Sequence, residues 1–388
     1  MNTKRCVTIR GNDYERGRQA GEALGYSVKV NLCNQIRHYK ENSGYDFSHW
    51  INACKSYIPL VRQYTPHTYE ELRGLADGAG LAFEEVLSLT SAYELAVAGG
   101  NVADKCTGFF AAGTYTEDGG AICGQTNDED FSEWIPYLDV VLKHQNTEGP
   151  SALVYTHPGI AAYMGMNNAG LSVLWQYIDN GERAADGLGV PTNCIIRELL
   201  FYDDLDDAVA FLKQVPHTIP NHYLITHRTE GAASVECYPG GIFVRKSKTN
   251  LCHANNILTE EKMDGCDKKN PLVYRKPFSV RAMEEDCYRH VLEGNDGILE
   301  WSYLRYDRIC QLLEEHKGAI NAEMGKRFLS DHEYAPFSIC SHPNFVNTRW
   351  KTLASIIFDM ERETMYIAFG CGCEEEFYQF GFDDSADL

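Results

Sequence analysis

Cys106, in Ala103-Asp104-Lys105-Cys106-Thr107-Gly108-Phe109-Phe110, stands where a helix-patterned N-terminal region gives way to β-patterned sequence. Downstream, the apolar segment Ala121-Ile122-Cys123 runs into the polar cluster Gly124-Gln125-Thr126-Asn127-Asp128, with the turn signal Glu117-Asp118-Gly119-Gly120 between the two. The pair reads as a β-hairpin that begins at Cys-Thr. If the Lys105-Cys106 bond is cut, Cys106 becomes a chain start whose α-amine lies beside its own thiol and can serve as the general base. A thiolate made in this way attacks an amide, forms a thioester on Cys106 and releases an amine; water or a second amine then collects the acyl group. Most cysteines are packed as small hydrophobes, so the hairpin alone does not separate a nucleophile from a core residue.

Other chemistries have less in their favour. The thirteen histidines contain no His-Glu-x-x-His pair, and Cys371-Gly372-Cys373 lacks the second half of a zinc knuckle, so neither a metal nor any other cofactor is expected. Cys340 and His342 would share one face of a strand, but papain-like and serine-triad signatures are absent, as is a Gly-x-Ser-x-Gly elbow. Gly17, Gly21 and Gly25 follow a strand yet fall inside the next helix, four residues apart, which indicates close helix packing and not a phosphate loop.

An ordered series of segments carries a resemblance across nearly the whole of residues 106 to 388. These are Gly124-Gln125-Thr126-Asn127-Asp128, Met164-Gly165-Met166-Asn167-Asn168-Ala169-Gly170-Leu171, Gly189-Val190-Pro191-Thr192, Cys252-His253-Ala254-Asn255 and Ala335-Pro336-Phe337-Ser338-Ile339-Cys340. Upstream, Glu70-Glu71-Leu72-Arg73-Gly74-Leu75-Ala76-Asp77-Gly78-Ala79-Gly80 adds to it. In these stretches the chain resembles the acyl-coenzyme A:6-aminopenicillanic acid acyltransferase family, the C45 family of N-terminal-nucleophile (Ntn) hydrolases.

The resemblance implies an α+β fold, a four-layer αββα sandwich of two stacked antiparallel sheets covered by helices. It implies a single domain over 1 to 388, in which residues 1 to 105 become one chain after cleavage and residues 106 to 388 the other, the two staying associated. It makes Cys106 the nucleophile, Asn255 the oxyanion-hole donor with Asn256 as its near neighbour, Asp128 the residue that orients the new amine, and Ser338 a support for processing or site integrity. Read alone, Asn255 or Asp128 is equally a turn or cap residue, and Ser338 a polar strand residue. Arg305 and Arg308 fall at places similar to family arginines, but helix charges are usually solvated and both stay outside the expected site. Family members often carry glycine before the cysteine, where this chain has Lys105. Glycine eases the strained backbone of an N-to-S acyl shift, so slow processing, another route, or an unprocessed binding protein are alternatives.

The elements around these residues follow from periodicity. A strand near the N-terminus leads through Asn12-Asp13 into a helix over 14–40, and further helices are expected over 47–64, 67–79 and 83–98. After Cys106 the period changes to two, with strands expected over 107–114, 121–127, 137–143, 152–156, 161–166 and 171–178. Helices over 192–202 and 205–214, strands over 222–228, 232–238 and 241–247, helices over 301–316 and 320–329, and strands over 352–359, 363–369 and 377–381 complete the reading. Helices and strands in separate blocks argue α+β.

Fifty-five acidic against thirty-five basic residues give a formal charge of −20, which repels nucleic acid and anionic membranes and disfavours a polyanionic acyl donor. No apolar leader precedes the first strand and no stretch has the length of a membrane span. Fourteen scattered cysteines, with Cys33, Cys54, Cys194 and Cys310 inside apolar segments, read as reduced thiols of a cytoplasmic protein. The expected partner is a small N-acyl amide.

Overall fold

A computed structural model describes residues 5–44, 46–98, 105–130, 138–178, 187–259, 298–335, 337–343 and 350–383. Strand β1 (Cys6–Gly11) enters helix α1 (Asp13–Ser43) through a capping box in which Asn12 Oδ1 accepts from Glu15 N and Glu15 accepts from Asn12 N. Helices α2 (Phe47–Lys55), α3 (Ile58–Tyr64), α4 (Pro66–Ala79), α5 (Phe83–Thr90) and α6 (Ala92–Ala98) follow. Two of the expected helices are therefore four. Pro59 in the first turn of α3 has no N–H to continue α2, and Ser91 caps α5 before α6 begins.

The glycines of α1 seat it against α4. A Cβ on Gly17 would stand 1.9 Å from Glu71 O, one on Gly21 2.3 Å from Leu75 O, and one on Gly74 2.0 Å from Tyr14 O. Backbone touches backbone there, so no rotamer change can make room. Gly25 differs, since its Cβ would meet Ala79 Cα at an ordinary 3.4 Å. Gly74→Ala is thus expected to lower stability by about 1–3 kcal/mol through forced separation of the helices, while Gly25→Ala stays within about 1 kcal/mol of the parent or gains. Denaturant midpoints at unchanged slope measure both; equal midpoints would refute the close approach. Beside this crossing, Glu71 accepts from Arg16 Nη2 at 2.6 Å and Arg197 Nε at 2.7 Å, all three buried. Burial alone would raise the Glu71 carboxyl, but Arg197 and Arg16 hold it well below the usual carboxylate range.

After Cys106 come β2 (Lys105–Ala111), β3 (Ile122–Asp130), β4 (Val140–Asn146), β5 (Ala152–Thr156), β6 (Met164–Asn167) and β7 (Leu171–Tyr177). Helices α7 (Thr192–Leu199) and α8 (Leu205–Gln214) precede β8 (Asn221–His227), β9 (Gly231–Tyr238), β10 (Gly241–Ser247) and β11 (Asn250–His253). Helices α9 (Ile298–Glu315) and α10 (Ala322–Leu329) lead to β12 (Trp350–Asp359), β13 (Thr364–Ala368) and β14 (Tyr378–Gly381). β11 was not among the expected strands, because four residues are too few to show a period of two.

Eight strands form one sheet in the order β1-β4-β5-β6-β7-β8-β9-β10, and six form the other in the order β11-β2-β3-β12-β13-β14. Among the described strands all pairs are antiparallel except β1 with β4, a parallel contact that adds a strand from before Cys106 to the edge of a sheet built after it. The sheets stack: Cys123 Sγ of β3 lies 3.2 Å from Ser172 Oγ of β7, and β2 packs on β7 and β8. Helices α1, α7 and α8 cover the eight-stranded sheet, while α9 and α10 cover the six-stranded one. The result is the α+β, four-layer αββα sandwich, with the one parallel pair as its departure from purely antiparallel sheets.

The cysteines are not all reduced. Cys252 of β11 is disulfide-bonded to Cys310 of α9, across 58 residues of sequence, whereas Cys54 and Cys194 are free and buried and Cys33 is free and exposed. No helix among the described residues is long and apolar enough to cross a membrane.

Candidate active site

Cys106 is the second residue of β2, paired in register with Asn127, and Lys105 pairs with Asp128. It lies between the sheets and α9 at 1% exposure, and its backbone N–H donates to Asn255 Oδ1 at 2.8 Å. Asn255 reaches this point because β11 pairs antiparallel with β2 and ends two residues earlier, at His253. Its Oδ1 also accepts from Arg305 Nη2 at 2.7 Å, and its Nδ2 donates to Tyr177 O at 2.9 Å. Two donors on the oxygen and a carbonyl on the nitrogen fix which way the amide faces. Asn256 faces elsewhere, with its Oδ1 accepting from Ser302 Oγ at 2.9 Å, so of the neighbouring asparagines it is Asn255 that meets Cys106. In the uncleaved chain that amide presents its acceptor, not its donor, to Cys106.

Arg305, set aside in the sequence reading as a solvated helix charge, is 2% exposed and belongs to this cluster. Its Nε donates to Thr107 Oγ1 at 3.1 Å while Nη2 holds Asn255. Burial lowers the guanidinium pKa, and negative charge on Asp128 and Cys106 acts in the opposite direction. A signal was present in the sequence. Ser302, Arg305, Ile309 and Leu312 recur at helical spacing on one face of α9, and all four are buried. Arg308 is on another face and pairs with Asp331 at 2.7 Å. Thr107, a good strand former by type, also links the cluster: its N–H donates to Thr126 Oγ1 at 3.2 Å.

Asp128 sits within β3, buried, and is neither a turn residue nor a helix cap. Its Oδ1 accepts from Thr352 Oγ1 at 2.6 Å and its Oδ2 from Thr126 Oγ1 at 3.3 Å. The alternation of β3 places Thr126 and Asp128 on the face of Thr107, with which Thr126 pairs, whereas Asn127, the partner of Cys106, and Gln125 share the Cys106 face, and Gln125 points between the sheets to the Trp175 carbonyl. Thr126 and Thr352, which sequence reasoning missed, have no distinctive signal; Thr126 shares the Asp128 face two residues away on β3, and strand pairing with β12 brings Thr352 to it.

Ser338 is buried, but its hydroxyl donates to Cys340 O at 2.8 Å and shapes its own loop. That loop reaches Asp128 through Ser341 N, which donates to Thr352 Oγ1 at 2.9 Å. The backbone of Lys105 continues β2, and its side chain lies outside the described residues, as do 99–104 and 131–137. Beside the same loop His332, Cys340, His342 and Cys373 converge, with Cys371 close to His342.

A family profile described as acyl-coenzyme A:6-aminopenicillanic acid acyl-transferase matches residues 115–372, a span that contains Asp128, Asn255, Arg305 and Ser338 and begins downstream of Cys106. The 40 kDa form of acyl-coenzyme A:6-aminopenicillanic-acid-acyltransferase from Emericella nidulans is 23% identical over 358 residues, which are 91% of this chain and 89% of that protein. Among solved structures, penicillin V acylase from Agrobacterium tumefaciens is 12% identical, over 73% of this chain and 90% of its own, with a TM-score of 0.45. The N-acylethanolamine-hydrolyzing acid amidase ortholog of Caenorhabditis elegans is 14% identical, over 66% of this chain and 93% of its own, with a TM-score of 0.43.

Proposed function

Because the chain belongs to the acyl-coenzyme A:6-aminopenicillanic acid acyl-transferase family of Ntn enzymes, which act on linear amides as hydrolases or N-acyltransferases, we propose that it is an autoprocessed cysteine amidohydrolase working through Cys106. The observation that carries this reading is the bond from Cys106 N to Asn255 Oδ1 beside the buried Arg305 guanidinium. Cleavage of Lys105-Cys106 turns that amide nitrogen into an α-amine in the same place. Asn255 Oδ1 takes one of its protons in a hydrogen bond, which leaves the lone pair to accept the thiol proton.

The positive charge of Arg305 acts on both groups in the useful direction. It disfavours an ammonium and favours a thiolate. The Cys106 sulfur then adds to the substrate carbonyl, the C–N bond breaks with the α-ammonium returning its proton to the leaving amine, and water, deprotonated by the same amine, hydrolyses the thioester. Asn255 acts as oxyanion donor with its Oδ1 kept on the α-amine and Arg305, Nδ2 exchanging the Tyr177 carbonyl for the developing negative charge. Asp128, held by Thr126 and Thr352, balances Arg305 and keeps Thr126 aligned under Thr107.

The second reading, transfer of the acyl group to an amine, is favoured by the description of the Emericella relative. Hydrolysis comes first because the net charge of −20 opposes a polyanionic acyl donor. Placement in the cytoplasm rests on free cysteines such as Cys54, Cys123, Cys194 and Cys237, and the Cys252–Cys310 pair weighs against it.

Intact mass spectrometry of the freshly purified protein under denaturing conditions tests the proposal. Two species corresponding to residues 1–105 and 106–388 are expected, together with release of amine from a panel of N-acyl amides. A single full-length mass without turnover would replace this reading by that of an unprocessed binding protein.

A further inference from the structure

Three segments far apart in sequence bring thiols and imidazoles together on the side of the six-stranded sheet that α10 covers. His332 follows α10, Cys340 and His342 lie on the loop that precedes β12, and Cys373 lies on the turn between β13 and β14. His332 Nε2 is 3.1 Å from His342 Nε2, Cys340 Sγ is 3.4 Å from His342 Nε2, Cys373 Sγ is 3.2 Å from the same atom, and the two sulfurs are 3.6 Å apart. All four ligand atoms lie within 4.8 Å of one another. A tetrahedral zinc with ordinary Zn–N and Zn–S bonds holds its ligand atoms about 3.3–3.8 Å apart. Four of the six distances are within a few tenths of an ångström of that range, and the other two, from His332 to the sulfurs, are within 4.8 Å.

We propose that His332, Cys340, His342 and Cys373 form a structural zinc site that staples the Ser338–His342 loop to the end of α10 and to the β13–β14 turn. Tetrahedral S₂N₂ sets select zinc among divalent ions. Binding releases one proton from each thiol, and the two thiolates then neutralise the dication. The outer groups suit this role. Glu374 Oε1 lies 3.5 Å and Cys371 Sγ 3.7 Å from His342 Nδ1, so the ring keeps its proton on Nδ1 and turns the Nε2 lone pair to the metal. Four protein ligands leave no open position, so the site is structural and not catalytic.

The staple bears on the nucleophile through two bonds already described, Ser341 N to Thr352 Oγ1 and Thr352 Oγ1 to Asp128 Oδ1. A Cys340–Cys373 disulfide is the competing use of the same sulfurs, but it would engage only two of the four converging atoms.

Metal analysis of the full chain, purified under reducing conditions without chelator, tests the proposal independently of turnover. The expected result is one zinc per chain, falling below about one tenth of that in Cys373→Ser and in His332→Gln. Both residues are exposed and outside the catalytic cluster, and far-ultraviolet circular dichroism checks that each variant folds. Exchange with Co²⁺ should give a tetrahedral visible spectrum with thiolate-to-cobalt charge transfer, weakened by roughly half when one of the two thiolates is removed in Cys373→Ser. A protein that carries no metal and takes up neither Zn²⁺ nor Co²⁺, an unchanged cobalt spectrum in Cys373→Ser, or a Cys340–Cys373 disulfide in the peptide map of the native protein would each overturn it.

Discussion

Cys106→Ala is expected to yield a full-length, folded protein with turnover reduced by about 10⁴-fold or more, the scale of losing a covalent nucleophile. Both losses share one cause. The thiol is the group proposed to attack the Lys105 carbonyl during processing and the substrate carbonyl afterwards, so one substitution removes cleavage and turnover together. The fold should tolerate it: Cys106 is buried on a strand, and the β2 ladder with β3 runs through backbone atoms that alanine retains. Cys106→Ser separates the two steps, because an alkoxide is harder to form than a thiolate and processing should slow before it stops. Electrophoresis and mass spectrometry follow cleavage, and release of amine follows turnover. Full amide-cleaving activity in Cys106→Ala would remove Cys106 from the mechanism.

Arg305→Met is expected to lower turnover by about 10²–10³-fold, the usual loss when one preorganised charged donor leaves an active site. The guanidinium holds Asn255 Oδ1 and Thr107 Oγ1 together and faces Asp128 and Cys106 inside a buried cluster. Methionine fills similar volume but removes the positive charge that acts on the buried Asp128 carboxylate, which also destabilises the fold. The pH profile separates chemistry from simple destabilisation. The α-amine works as a base only when neutral, and a nearby cation lowers its pKa. Without Arg305 that pKa rises, so the acidic limb of kcat/KM should move to higher pH. Arg305→Lys keeps the charge and loses the fork, and should leave the limb near its parent position while kcat falls. An unmoved limb in Arg305→Met would make the arginine a structural residue only.

Residues whose role depends on local pattern were legible in the sequence. The helix start at Asn12-Asp13, the glycines of α1, and the strands around Cys106 follow from rules that act over a few residues, and the structure has each of them close to its expected bounds. Where the rules were too coarse, the physical reason is local as well: Pro59 breaks a helix that the apolar period carries through, and β11 is too short to show alternation. The position of Asn255 beside Cys106 and of Asp128 on the neighbouring strand agrees with the order of the motifs that carry the family resemblance.

Other features depend on pairs far apart in the chain, and no local rule reaches them. Arg305 carries the sequence signature of any helix arginine, and its burial against Asn255 and Thr107 is decided by how α9 packs on β2 and β11, to which the Cys252–Cys310 bond ties it. Thr352 becomes a partner of Asp128 only because β3 pairs with β12 in that register. Cys373 meets His332, Cys340 and His342, and Cys371 meets His342, only after β13 and β14 fold beside the Ser338–His342 loop. The sequence by itself thus determined the elements and the place of Cys106 on a strand, since periodicity and turn chemistry are short-range. The tertiary structure alone decided which charges surround it, since a buried charge is set by what the far end of the chain brings to it.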